Sequence, residues 1–104
     1  MSEGDELEAI WEGDRALTLA RVEVLFRAAA ALERGTLTPD ARRAARDEAH
    51  TLAGTAAIFG RAEVSRLAKE CQRWLEAEPP VTDASRFRDL VLALRGALGG
   101  GGDI

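Results

Sequence analysis

Tyrosine is missing from this chain, proline occurs three times, and cysteine and histidine occur once each. The lone Cys71 excludes an internal disulfide and a cysteine-rich zinc cluster; its apolar spacing reads as a buried thiol in a reducing compartment. A basic excess is also lacking, because 14 Lys and Arg stand against 18 Asp and Glu, a formal net charge of −4 at pH 7. That is the wrong balance for a nucleic-acid binder. No apolar run approaches the roughly 18 residues that span a bilayer. The opening MSEGDELEAI is acidic where a signal peptide carries positive charge. These absences predict a cytoplasmic protein that binds neither nucleic acid nor membrane.

What is present favours helix almost everywhere, because alanine, leucine, arginine and glutamate dominate and β-branched residues are scattered singly. Turn and capping chemistry falls at Gly13-Asp14, at Gly35 to Pro39, at Gly60 and at Glu78-Pro79-Pro80 with Thr82. The spacing predicts a short helix over 5–12 and longer ones over 14–34, 39–59, 61–77 and 82–98. Asp14 is the expected N-cap of the second and Thr38 that of the third, with Pro39 at its first position. The second helix carries two apolar stripes, Leu17, Val24, Leu25, Ala28 and Leu32, then Leu19, Val22 and Phe26. The bundle is expected to cover the first, and the N-terminal helix or a second copy the other; a monomer is the favoured state. The third has Ala41, Ala45, Ala49, Leu52, Ala56 and Phe59 as its core stripe, the fourth Val64, Leu67, Ala68, Cys71, Trp74 and Leu75. Short connections make neighbours antiparallel. The expected fold is all-α, an up-and-down antiparallel four-helix bundle with a short additional N-terminal helix. Residues 1–98 form one domain, and 99–104 a flexible Gly-rich tail.

His50 lies roughly 140° from the centre of the third helix's core stripe, so its imidazole is expected to face solvent. Arg43, Arg46, Asp47, Ala53, Gly54, Ala57 and Arg61 share its face by counts of three and four. The turn that follows the ring therefore carries almost no side-chain bulk. A glycine inside a helix is unfavourable by about 0.5–1 kcal/mol relative to alanine, so Gly54 suggests room kept for another protein to close around the ring. A neutral imidazole is a nucleophile that attacks acyl or nucleotide phosphates to give phosphohistidine. Arg46, and more loosely Arg43 and Arg61, are the cations available to hold phosphoryl oxygens. Metal chemistry fits poorly, since one histidine has no nearby cysteine or second histidine to share a zinc ion. Cys71 reads as core and Ser65 has no evident oxyanion hole, so autonomous catalysis is not expected.

The run His50-Thr51-Leu52-Ala53-Gly54 followed by Phe59-Gly60 resembles the signature of the histidine phosphotransfer (Hpt) domain, H-x-L-K-G-x-x-x-x-[LF]-G. The Arg- and Ala-rich approach and the later LAKECQRWLE extend the resemblance over about residues 14 to 98. It implies a helical bundle in which His50 accepts a phosphoryl group from a receiver-domain aspartate or a histidine kinase and passes it on. Gly54 would then be the small neighbour and Gly60 the helix-ending turn. The implied protein is a phosphocarrier without its own cofactor, and the divalent cation belongs to the partner receiver domain. One position departs, because Ala53 stands where the family has a lysine that steadies the phosphoryl group. Arg46 or Arg61 is the expected substitute, and the alternative is a module that docks a receiver or kinase without carrying phosphate.

Overall fold

The computed structural model describes residues 3 to 77 and 83 to 99, with side chains from residue 5 onward. Five helices make up the described chain: α1 Glu3–Gly13, α2 Arg15–Glu33, α3 Pro39–Ile58, α4 Ala62–Glu76 and α5 Ala84–Gly99. No strand occurs among the described residues, and no helix there is long and apolar enough to cross a membrane.

Local chemistry sets the ends of α3. At its start the Thr38 hydroxyl accepts from the Ala41 backbone N–H at 3.0 Å, with Pro39 at a position where no N–H is missed. At its finish Gly60 has φ +72°. The Gly60 N–H donates to the Ala57 carbonyl at 3.1 Å and the Arg61 N–H to that of Ala56 at 2.8 Å, the paired bonds of a Schellman motif. Gly35, at φ +71°, ends α2 the same way through Leu32 and Ala31. These left-handed glycines turn the chain back on itself. Asp14 precedes α2 without a side-chain cap hydrogen bond, which corrects its expected capping role. The cap of α5 is Asp83, whose carboxylate accepts from the Arg86 N–H at 3.3 Å; Thr82 and the Glu78-Pro79-Pro80 turn lie outside the described residues. Gly99 is the last residue of α5, and the rest of the expected tail lies outside the described residues.

Helices α2, α3, α4 and α5 pack in a ring, each on its sequence neighbours and α5 back on α2. The α3–α4 pair is the most extensive. Its α3 side is almost all alanine, with Ala45, Ala49, Ala53 and Ala56 buried around Leu52, so α4 approaches closely with Ala68, Cys71 and Ser65. Larger side chains fill the remaining core: Leu25, Leu94 and Phe87 are fully buried, each worth about 1.5–3 kcal/mol of apolar transfer. Trp74 stacks on Phe87 at 4.8 Å.

Two expectations about stripes are corrected. Leu17 is 54 % exposed, because the buried line of α2 runs through Thr18, Val22, Leu25, Ala28 and Ala29, merging parts of both expected stripes. Ala41 is exposed, and the buried line of α3 begins one turn later, at Ala45. α1 is anchored by Trp11, which is buried, meets Phe59 at 5.5 Å and carries the Arg61 guanidinium over its ring at 5.3 Å. It therefore covers the end of α3, while Leu19 on α2 stays exposed.

Candidate functional site: a histidine on the α3–α4 groove

His50 sits mid-way along α3 with its side chain exposed, held there because the buried positions 45, 49, 52 and 56 centre on the far side of the helix. Its Nδ1 lies 3.2 Å from Oε1 of Gln72 on α4. The Gln72 amide nitrogen donates to Glu76 Oε2 at 3.0 Å, and a carboxylate only accepts, so Oε1 is the Gln72 atom turned toward the ring. An amide oxygen also only accepts. In the neutral ring this contact places the proton on Nδ1 and leaves the Nε2 lone pair free. The row continues from Glu76 to Arg46 Nη1 at 3.7 Å, and Arg46 also meets Asp47 at 2.9 Å.

Toward the C-terminal end of α3 the groove has little bulk. Gly54 and Ala57 are exposed, and a Cβ added at Gly54 would meet nothing within 4 Å. No neighbour inside the protein thus requires glycine there, and its φ is not in the left-handed region.

The remaining residues of the expected face diverge. Ala53 is only 3 % exposed, a correction to its place among the accessible small residues. Position 53 borders the buried stripe, where α4 closes over it and the Ser65 hydroxyl donates to its carbonyl at 2.9 Å. Arg61 lies past the end of α3, after the Gly60 turn, and pairs with Glu8 of α1; α3 has by then carried the chain about 12 Å beyond His50, at about 1.5 Å per residue. Arg61 is structural cover for Trp11, not a neighbour of the imidazole. Arg43 lies about two turns before His50 and pairs with Asp40. With Arg46 it lines a hollow of about 660 Å³ bounded by Leu32, Leu37 and Leu75. A second hollow of about 440 Å³ lies at the other end, among Ala57, Gly60, Ser65, Arg66, Lys69 and Arg73.

Burial, with the Glu70 charge adding to it, pushes the Cys71 thiol up to about 12, so it is no thiolate nucleophile near neutral pH. On the exposed flank of α4 the Arg66 guanidinium hydrogen-bonds Glu63, holding that carboxyl below its ordinary value and Arg66 above its own.

Gln72 and Glu76 were not among the residues singled out from sequence. Their signal lay in the amphipathic pattern of LAKECQRWLE, where Gln72 and Glu76, four apart, flank the Leu67, Ala68, Cys71 and Leu75 stripe, but only the register of α4 against α3 shows which faces His50. The Hpt domain family model matches residues 15–99, and the chain belongs to that family, whose members work by histidine phosphotransfer in two-component signalling. The match leaves α1 outside. No curated protein and no solved structure gives a significant match.

Proposed function

We propose that His50 is the phosphoacceptor of a phosphorelay carrier, taking a phosphoryl group from a receiver-domain aspartate or a histidine kinase and passing it on, in the cytoplasm and as a monomer on an up-and-down antiparallel bundle. The observation that carries this reading is the exposed imidazole whose Nδ1 faces Gln72 Oε1, next to a glycine that nothing inside the protein requires.

In the transfer, the Nε2 lone pair forms the N–P bond while the P–O bond to the donor breaks and its electron pair leaves with the carboxylate oxygen. No proton has to move, because the attacking nitrogen carries none and Nδ1 keeps its own. The positive ring that results is stabilised by the Gln72 oxygen. The partner's acidic pocket contributes the divalent cation and the remaining catalytic groups, so this chain is a carrier and not an enzyme by itself. Gly54 and Ala57 allow the approach, Ile58, 73 % exposed, offers apolar contact, and Arg43 and Arg46 form the charged rim. Such a small surface suits repeated exchange.

Incubation with a phosphorylated receiver should give an acid-labile, alkali-stable phosphoprotein that is lost in His50→Gln. A variant labelled as fast as the wild type would overturn the reading. The alanine at position 53 favours a second reading, docking without transfer, for which a complex would form and no label appear.

A further inference from the structure

A phosphoryl group carried on His50, on the reading above, brings up to two negative charges, and α3 has no uncommitted cation to meet them. Arg46 is engaged by Asp47 and Glu76, Arg43 by Asp40 and Arg42 by the Leu75 carbonyl at 3.1 Å; Arg61, past the end of α3, pairs with Glu8, and position 53 is alanine. Across the groove the situation differs. Lys69 precedes Gln72 by three residues on α4, which places it one turn nearer Gly54 and Ala57 on the α4 flank that faces α3. It lines the 440 Å³ hollow together with Ala57 and Ser65, and the Ser65 hydroxyl reaches the carbonyl of Ala53 itself. Among the described residues no ion pair or hydrogen bond engages its ammonium. Arg66 of the same hollow is held by Glu63 and Glu70; Arg73 shares the hollow but stands about 100° round the helix from Gln72, against about 60° for Lys69, and one turn further from Gly54 and Ala57.

We infer that Lys69 is the phosphoryl-binding cation of this site, supplied from α4 in place of a cation on α3. Its flexible four-carbon stem carries a point charge with three rotatable donors. The small side chains at positions 54 and 57 leave the space beside the ring open to it. During transfer the N–P bond forms and the bond to the donor breaks as described, and the ammonium balances charge on the phosphoryl oxygens without exchanging a proton.

Phosphoramidate, a small donor that needs no docking surface, tests this directly with wild type, Lys69→Gln, Lys69→Arg and His50→Gln. Labelling should slow about two- to five-fold in Lys69→Gln, the size of an exposed charge contact, and recover in Lys69→Arg. The ³¹P resonance of the adduct should titrate a few tenths of a pH unit higher in Lys69→Gln, because the cation favours the dianion. Equal rates and equal titrations in wild type and Lys69→Gln would overturn the role of Lys69 while leaving His50 as acceptor. Absence of label from the wild type, or equal label in His50→Gln, would instead remove the acceptor reading on which this inference rests.

Discussion

His50 and Gln72 face each other across the α3–α4 groove, with 3.2 Å between the ring Nδ1 and the amide Oε1. Because Gln72 is itself fixed by Glu76, the contact orients the imidazole and selects its tautomer. Removing the amide should therefore act on the chemistry of the ring more than on the fold. A net hydrogen bond of about 0.5–1.5 kcal/mol corresponds to a two- to ten-fold effect. Gln72→Ala should slow labelling of His50 by that factor and lower the share of ring carrying its proton on Nδ1. Nitrogen-15 shifts of the imidazole report the tautomer, and an unchanged spectrum would show that Gln72 does not set it.

Gly54 makes opposite predictions for stability and for transfer. An added Cβ meets nothing within 4 Å, so Gly54→Ala should stabilise the protein by about 0.5–1 kcal/mol through helix propensity alone. On the proposed reading, the same methyl lies where a partner approaches. Transfer from a receiver domain should fall while labelling by phosphoramidate stays as in wild type. Urea unfolding and the two donor assays together check this, and an equal loss with both donors would move the effect from docking to the ring.

Arg61 is expected to matter for the fold only. Its guanidinium pairs with Glu8 and covers Trp11 at 5.3 Å, and cation–π contacts contribute about 0.5–2 kcal/mol. Arg61→Gln should lower stability by about that amount and leave the phosphoramidate labelling rate of His50 unchanged. Trp11→Ala should cost more, about 3 kcal/mol, by emptying the space between α1 and Phe59. A large drop in labelling in Arg61→Gln would return Arg61 to the phosphate site.

The fold was legible where one helix decides its own fate. Thr38-Pro39 and Gly60 act through bonds to residues within a turn or two, so the limits of α3 followed from sequence, and the angle of His50 to the core stripe followed from helical period alone. What depends on the neighbour was not legible. Ala53 and Ala57 are both small and both near His50 on a helical wheel, yet α4 covers one and leaves the other exposed. Arg61 shares the His50 face by counting, but a glycine turn intervenes and Glu8, more than fifty residues earlier, claims it. Gln72 and Lys69 enter the site only through the register of α4 on α3, which no periodicity within α4 encodes.

Cys71 gives the pH dependence its direction. Burial raises the thiol from an ordinary value of 9.0 to about 12, with Glu70 adding to the shift. Below pH 9 the thiol is protonated in both folded and unfolded chains and contributes no slope. Between 9 and 12 the unfolded chain has released the proton while the folded one keeps it, so the folded state binds more protons and loses stability as pH rises. One proton corresponds to about 1.4 kcal/mol per pH unit. Cys71→Ala removes that single contribution, and its unfolding free energy should fall less steeply than the wild type's above pH 9, with parallel curves below. Urea titrations of both proteins from pH 7 to 11 measure the difference, and parallel curves throughout would mean that the thiol reaches solvent and ionises in the native state. Thiol-reagent labelling should then also be fast at pH 9 without denaturant, whereas a buried Cys71 should react only at the rate at which α4 separates from α3.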